Sequence, residues 1–489
     1  MTDKKKGITR VVYAVIVIAL LIIAAGVSFF YFVTPTTSTT TATSTITATS
    51  TITGTSTTST PTISGSITVA AESGYNDKAA DAIAADFMKA YPGTTVNVAT
   101  LPYSTAMTSY EVGFSTNEST YDVVFMGSSE FLGLTWPYLL NLNPYLSSTT
   151  YFPASYNMSD IIPASLPPFE LNGGLYGLPM ELDTMALFYR PSAFNNATNQ
   201  QLFQQQYGYA LPNPGKTTLT LQQVIDVASF FNGAHGYKAG IDIYQDPVDD
   251  DMVGSFEEFF AIPRVQNSTT YGSVSGQYGT LFSSDGRLIT NTSLFINALS
   301  SYDKILGASE QPLSANFGSI VSYFGDGDAP MMVQYTYPMF FLNSTKIGTD
   351  WAVAPTFPGG HSIFGGQCWS VFKYTKNLPL ALAFVRFATS ASESTKYMTL
   401  DGLFPFRYSQ FPYASTYLHI SPQLINTVLN LMSTSIQGDN NVAYGPLIGR
   451  TFAEEMALVY YGKATPAQAA SVITSTAEEA GAIAWTPTT

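Results

Sequence analysis

The chain has 489 residues, 45% of them hydrophobic and only 11% charged, with a formal net charge of −14. That length supplies two compact lobes with their own cores and is too long for one. Binding a phosphate backbone needs clustered Lys and Arg, and no such cluster exists beyond the first ten residues, so nucleic acid is excluded as a partner.

Charged residues usually make up roughly 25% of a soluble protein, whereas here Ser, Thr, Asn, Gln and Tyr fill the polar positions. Sparse charge of acidic sign suits an acidic medium. Near pH ~2–3 the carboxylates are largely protonated, and few cations remain to repel one another. We hold this as a hypothesis against the alternative of an ordinary secreted acidic protein; melting curves with a stability maximum confined to neutral pH would remove it. Cys368 is the only cysteine, so no intrachain disulfide forms, and its apolar surroundings read as those of a buried small hydrophobe rather than a reactive thiol.

Lys4, Lys5, Lys6 and Arg10 precede an apolar run from Val11 to about Val33. A run of about 20 residues spans a bilayer and exceeds a secretory h-region of about 7–15; with the basic cluster inside, the rest of the chain faces outward. The order Lys5-Lys6-Gly7-Ile8 before the apolar run resembles the archaeal prepilin-like, or class III, signal peptide. That resemblance implies cleavage after Gly7, leaving Ile8 as the first residue of an apolar anchor. An uncleaved anchor and signal-peptidase cleavage near Ala24-Ala25-Gly26 are the other readings. Residues 34–65 are nearly pure Ser and Thr with a visible hexad, have no apolar face to bury, and read as an extended, disordered, O-glycosylated stalk. Six N-x-S/T sequons, at Asn117, Asn157, Asn196, Asn267, Asn291 and Asn343, are consistent with exposure outside the cell.

The globular part opens with a strand at Ser66–Ala71, followed by Glu72-Ser73-Gly74-Tyr75. A helix runs from Lys78 to Tyr91 with Ala79, Ile83, Phe87 and Met88 on one face, closed by Pro92-Gly93. Val96–Val98 reads as a second strand and Tyr121–Met126 as a third, apolar as buried parallel strands are. Ligands of open α/β sheets sit beyond the carboxyl ends of strands, which singles out Glu72, Ser73, Ser128, Ser129 and Glu130 as hydroxyl partners. Gly215-Lys216-Thr217 invites a phosphate-loop reading, but the glycine required five positions earlier is Ala210, so it is a turn before the Leu219–Phe231 helix. Asp249-Asp250-Asp251 lacks calcium-loop spacing because Val253 stands where a ligand is needed, and reads as a solvated loop. Gly365-Gly366 opens a short strand running to Tyr374 and containing Trp369. A helix follows with Asn377 as N-cap and with Leu380, Ala381, Phe384, Val385 and Ala388 on its buried face. Beyond Arg407 the chain is mostly helical.

Several of these segments resemble, in order, the extracytoplasmic solute-binding proteins of ATP-driven sugar importers, the group that includes the maltodextrin-binding proteins. The carriers are Leu171–Arg190 (N-G-G-L-Y-G-L-P-M-E-L-D-T-M-A-L-F-Y-R), Phe324–Tyr337, Pro358-Gly359-Gly360, Gly365-Gly366 with the helix through Ala383 and Phe387, and Gly402–Arg407. The resemblance spans Ser66 to Thr489 in outline and is tight at about five short segments. It implies an α/β, two-lobed, type II periplasmic-binding-protein-like fold with a hinge. Lobe 1 takes residues 66–182 with 366–408, and lobe 2 takes 183–365 with 409–489, behind the leader (1–7), the membrane helix (8–33) and the stalk (34–65). It further implies a hydroxyl-binding role for Asp183, an aromatic carried to the cleft at Tyr244 with Asp246, and a ring stacker at Tyr335 or Tyr337, where the family usually has tryptophan. Tyr75, Gly366 and Trp369 complete the expected site.

The function implied is capture of a mono- or oligosaccharide outside the cell, such as arabinose, glucose, maltose or trehalose, and its delivery to the permease subunits of an importer. No enzyme activity and no cofactor are expected. The rival classes are a cell-surface glycoside hydrolase, for which no carboxylate pair is singled out, and a structural cell-surface protein, motivated by anchor and stalk. There is no G-x-S-x-G elbow, and His235, His361 and His419 stand alone without metal-ligand spacing.

Overall fold

A computed structural model describes residues 63–486, apart from 119, 128, 248–250, 275–277, 439–441 and 443. The expected leader, processing site at Gly7 and Ile8, membrane helix and stalk lie outside the described residues. Among those described, no helix is long and apolar enough to cross a membrane.

The described residues contain eleven strands: β1 (Gly65–Glu72), β2 (Thr94–Leu101), β3 (Val123–Met126), β4 (Glu170–Leu171), β5 (Gly174–Leu175), β6 (Leu178–Pro179), β7 (Asp183–Tyr189), β8 (Met331–Tyr335), β9 (Ala352–Val353), β10 (Phe364–Gly365) and β11 (Cys368–Val371). One sheet has the order β2-β1-β3-β11-β6. Its first three strands are parallel, while β11 runs antiparallel to both β3 and β6. Parallel neighbours need helical crossovers, and these are the helices Asp77–Ala90 and Tyr103–Thr116. The first of these buries Ala79, Ala80, Ile83, Ala84 and Phe87, as its spacing predicts.

Phe87 meets Phe384 of the helix Leu378–Ala388 edge-to-face, with ring centroids 5.5 Å apart. Each such fully buried ring contributes on the order of 2–3 kcal/mol. Asn377 precedes that helix, but its side chain does not cap it; instead it donates from Nδ2 to the Ser64 carbonyl at 2.8 Å.

A second sheet has the order β10-β7-β8, with β9 also paired to β7, and all its pairings are antiparallel. The expected strand at Ile241–Asp246 is reduced to isolated bridges of Ile241 to Ser309 and Asp242 to Met332. Helices surround this sheet. Leu221–Phe231 starts on a reciprocal cap between Thr220 and Gln223. Ser293–Leu306 packs against Leu221–Phe231, Asp251–Gln266 and the late helices Gly445–Tyr460 and Pro466–Glu479. Phe256 joins them through ring contacts to Phe295, Tyr302 and Phe452. Asp251, expected in a solvated loop, instead opens the Asp251–Gln266 helix; Asp249 and Asp250 lie outside the described residues.

Two segments connect the sheets. Between β6 and β7 the chain passes through Met180, Glu181 and Leu182; between β10 and β11 it returns through Gly366 and Gln367. The two lie side by side, with the Met180 amide donating to the Gln367 carbonyl at 2.8 Å. Gly366 has φ +100°, and a Cβ there would sit 3.3 Å from Glu181 Cγ. Glycine is therefore what lets the crossing segments run this close.

Candidate functional site

The junction of the two sheets collects polar side chains in an otherwise apolar setting. β1 delivers Glu72 at its end, and the loop beyond it carries Tyr75 and Asn76. Asn76 is fully buried. Its Oδ1 accepts from the Glu72 amide at 2.9 Å, and its Nδ2 donates to Gln367 Oε1 at 2.8 Å. Gln367 in turn donates from Nε2 to Glu72 Oε2. The Tyr75 hydroxyl donates to Glu181 Oε1. On the second sheet Asp183 opens β7. Its Oδ1 accepts from the Thr184 amide at 2.8 Å, the Thr336 amide at 3.0 Å and the Thr336 hydroxyl.

Burial dominates the acidity of these carboxyls. It pushes Glu72 up to about 7 against the opposing hydrogen bond from Gln367, and Asp183 up to about 6 against the donors on Thr336 and Thr184. Glu181 is held well above the usual carboxylate range by burial and by the neighbouring Asp183, with Tyr75 opposing. A carboxyl that keeps its proton both donates and accepts, which suits a hydroxylated ligand.

Beside Glu181 and Thr336 lies a pocket of about 260 Å³, part of it open to solvent, whose lining also includes Tyr337, Met339, Phe340, Gly402, Phe404, Leu418 and Ile420. The enclosed cavity within it is only about 10 Å³, room for about one water, far short of the roughly 300–1,000 Å³ of ligand pockets. Three aromatic rings and two polar groups give it apolar faces for C–H surfaces and fixed partners for hydroxyls.

The expected residues divide into groups. Glu72, Tyr75, Asp183 and Gly366 come together at the junction, whereas Ser73 is exposed beside them. Tyr244, Tyr335 and Tyr337 converge on one ring, Phe317, at centroid distances of 5.6, 5.8 and 5.2 Å. Only Tyr337 of the three lines the pocket. Tyr244 is buried, and Tyr335 is half-buried and packs over Gly365. Asp246 is half-buried and not in the pocket lining.

Trp369 is turned into the first sheet's core. It is fully buried, donates from Nε1 to the Tyr397 hydroxyl at 2.6 Å, and packs on Phe384, leaving no ring face for a ligand. Ser128 and the side chains of Ser129 and Glu130 lie outside the described residues. Cys368 is buried beside Trp369, and burial pushes its thiol up to about 12.

Sequence reasoning passed over Asn76, Glu181, Thr336, Phe340 and Gln367. For Glu181 and Gln367 a signal existed: each is a lone polar residue inside an apolar crossing segment, and a buried polar group is the informative kind. Nothing in the sequence pointed to Phe340. Of the sequons, Asn117, Asn157, Asn196, Asn291 and Asn343 are exposed, and Asn267 is half-buried with its Nδ2 bound to the Pro263 carbonyl.

A family model described as bacterial extracellular solute-binding protein matches residues 82–412. No curated protein matches the chain in sequence. Among solved structures it is similar to maltose-bound MalE3 of T. maritima, with TM-score 0.64 and 16% identity over 85% of this chain and 99% of that one. It is similar also to an ABC transporter solute-binding protein of Thermotoga lettingae bound with α-D-tagatose, with TM-score 0.66 and 14% identity over 85% and 99%. A third is the ABC transporter solute-binding protein of Agrobacterium radiobacter K84 in complex with ribitol, with TM-score 0.66 and 16% identity over 86% and 100%. The fold is thus the two-lobed α/β architecture of periplasmic binding proteins.

Proposed function

We propose, from the premise that this chain belongs to the bacterial extracellular solute-binding protein family, that it captures a sugar or sugar alcohol outside the cell and hands it to the permease of an ABC importer. The observation that carries this reading is the pocket beside the crossing segments. Its buried Glu181 and Thr336 share the lining with the rings of Tyr337, Phe340 and Phe404, a combination of hydroxyl partners and apolar faces that suits a saccharide. The similar structures bound to maltose, tagatose and ribitol support the same ligand class.

In this reading residues 66–182 with 366–408 form one lobe and 183–365 with 409–489 the other. Ligand touching both lobes shifts an open–closed equilibrium by differential affinity. The apolar segment 8–33 anchors the protein, the Ser/Thr-rich segment 34–65 holds the lobes away from the membrane, and the exposed sequons carry glycans. Calorimetry of the purified protein with maltose, trehalose, glucose, arabinose, tagatose, mannitol and ribitol tests it. Saturable binding with the sugar recovered unchanged is expected. Released hydrolysis products would make it a glycosidase, and no heat with any of them would refute the assignment.

A further inference from the structure

The helix Phe411–Leu418 builds part of the pocket wall with one face and meets solvent with the next. Leu418 and Ile420 line the pocket, and Phe411 packs edge-on against Phe404, a further lining ring, with centroids 5.7 Å apart. Ala414 and Leu418, four residues apart, are the buried pair. Successive residues of an α-helix lie about 100° apart around its axis, so Tyr413 and Tyr417 form the neighbouring stripe. These two residues are 55% and 39% exposed, and their rings have centroids 6.2 Å and planes 31° apart. At about 1.5 Å of rise per residue, Tyr413 starts roughly 7.5 Å along the axis from Leu418. Tyr408, in the turn before the helix, is also exposed.

A single exposed aromatic needs no explanation, whereas a pair in register beside a pocket marks a contact surface. Among the described residues neither the Tyr413 nor the Tyr417 hydroxyl bonds to another residue, and the two rings touch only each other. The surroundings carry almost no charge. From Tyr408 to Gly438 there is no Asp, Glu, Lys or Arg, and His419 is the only histidine. Arg407, next in the chain, is fully buried and paired with Asp160, which also accepts from the Ser409 hydroxyl at 2.7 Å. Such a face offers no counter-charge to a polyanion, an ionic peptide or a phosphate headgroup. Flat rings tipped with free hydroxyls suit the C–H faces and hydroxyls of a neutral sugar.

We propose that Tyr413 and Tyr417 form a stacking platform for the outer units of a neutral saccharide chain gripped at the pocket by its inner unit, which makes an oligosaccharide the preferred ligand over a single sugar or sugar alcohol. The grip on the inner unit rests on the receptor reading above; the platform stands on the exposed rings, their spacing and the lack of charge. It continues the pocket's own aromatic surface, since Phe340 and Phe404 line the pocket and Phe411 ties Phe404 to the helix that carries the tyrosines. The enclosed space between the pocket walls has room for about one water, so a sugar unit enters only as the walls move apart. The tyrosines are open already. Held on one helix, they are spaced before ligand arrives, so stacking there carries little ordering cost.

Calorimetric titration of the purified protein with two neutral series, maltose to maltopentaose and cellobiose to cellopentaose, tests the platform. In the series that binds, the pentasaccharide is expected to bind about tenfold tighter than the disaccharide. The double variant Tyr413→Ala with Tyr417→Ala is expected to lose most of that advantage. Tyr413→Phe with Tyr417→Phe is expected to keep it, because the ring rather than the hydroxyl does the stacking; matched melting temperatures show that both variants fold. A pentasaccharide no tighter than the disaccharide, or an advantage that survives in the alanine variant, overturns the platform while the receptor reading stands, and the exposed face then serves a partner of another class, such as a protein. Binding confined to the single sugars and sugar alcohols of the wider panel has the same consequence. A pentasaccharide held through the tyrosines when no smaller sugar binds upholds the platform and refutes the capture of single sugars. No binding by any member of either series or of the panel overturns both.

Discussion

Replacing Arg407 by lysine tests whether the G-L-F-P-F-R segment is structural, as its burial indicates. The guanidinium is fully buried. It donates from Nε to the Thr389 carbonyl at 2.7 Å, and from Nη1 to the carbonyls of Tyr156 at 3.3 Å and Asn157 at 3.2 Å and to Asp160 Oδ2 at 3.3 Å. It also lies 4.7 Å from the Tyr156 ring centroid. The chain segments it joins are more than 200 residues apart, 156–160 on one side and 389–407 on the other.

Lysine carries one compact donor head and cannot span these acceptors or reproduce the planar stacking. Two carbonyl bonds lost from a charged donor, at about 1.5–2 kcal/mol each, give a cost of about 3–4 kcal/mol. A folded body of roughly 420 residues has an unfolding entropy of about 0.9 kcal/mol/K, so Tm is expected to fall by about 4 °C. Differential scanning calorimetry of wild type and Arg407→Lys at pH 5 measures it. A drop under about 1 °C would refute the reasoning, because it would mean that the three carbonyls find donors as good elsewhere.

Gly402 holds φ +76°, and a Cβ there would stand 2.5 Å from the Phe340 ring. Gly402→Ala is expected to cost about 1–2 kcal/mol, and part of that to vanish in a Phe340→Ala background. A double-mutant cycle with coupling below about 0.5 kcal/mol would disprove the contact. Asp242 is buried with neither carboxyl oxygen bonded, and burial together with Glu310 and Asp328 holds it well above the usual range, opposed by Lys238. Its stabilising proton is fully present below the ordinary aspartate range and lost as pH rises, so Asp242→Asn is expected to melt at or below wild type at pH 4 and above it at pH 7.5. Parallel melting curves at both pH values would contradict this. Cys368 is buried, with its thiol at about 12. Alkylation at pH 8 is expected to be slower by about three orders of magnitude in the native protein than in denaturant, and comparable rates would show that the strand opens.

Raised carboxyls recur through the molecule. Glu72, Glu181, Asp183, Asp242, Glu310 and Asp401 all sit above their ordinary values, with burial the leading cause in each. Asp86, Asp160 and Asp285 are lowered and lie toward the surface. The first group favours the folded state in mild acid, and the second withdraws its support only below the ordinary range. Composition alone suggested an acidic medium from how few charges there are; the structure adds that several of the acids hold their protons to higher pH because they are buried.

Periodicity and punctuation were enough to read off the helices Asp77–Ala90 and Leu378–Ala388, the parallel β1, β2 and β3, and the late helices, because these elements are set by contacts a few residues apart and by which face is apolar. The ordered motifs around Gly174–Arg190 and Gly365–Phe406 likewise marked both crossing segments before any coordinates. What the sequence could not decide was direction and partnership across the fold. Trp369 looked like a ligand stacker, yet strand alternation against β3 and β6 turns it into the core. Tyr244, Tyr335 and Tyr337 are far apart in the chain or differently spaced, yet all three meet at Phe317, a ring that no motif marked. Glu181 and Gln367 stand 186 residues apart in number, and only when β7 and β10 pair do they meet Glu72 and Tyr75. A carboxyl's proton affinity depends on how dry its neighbours leave it, and dryness is a property of packed surfaces that no local stretch of chain contains.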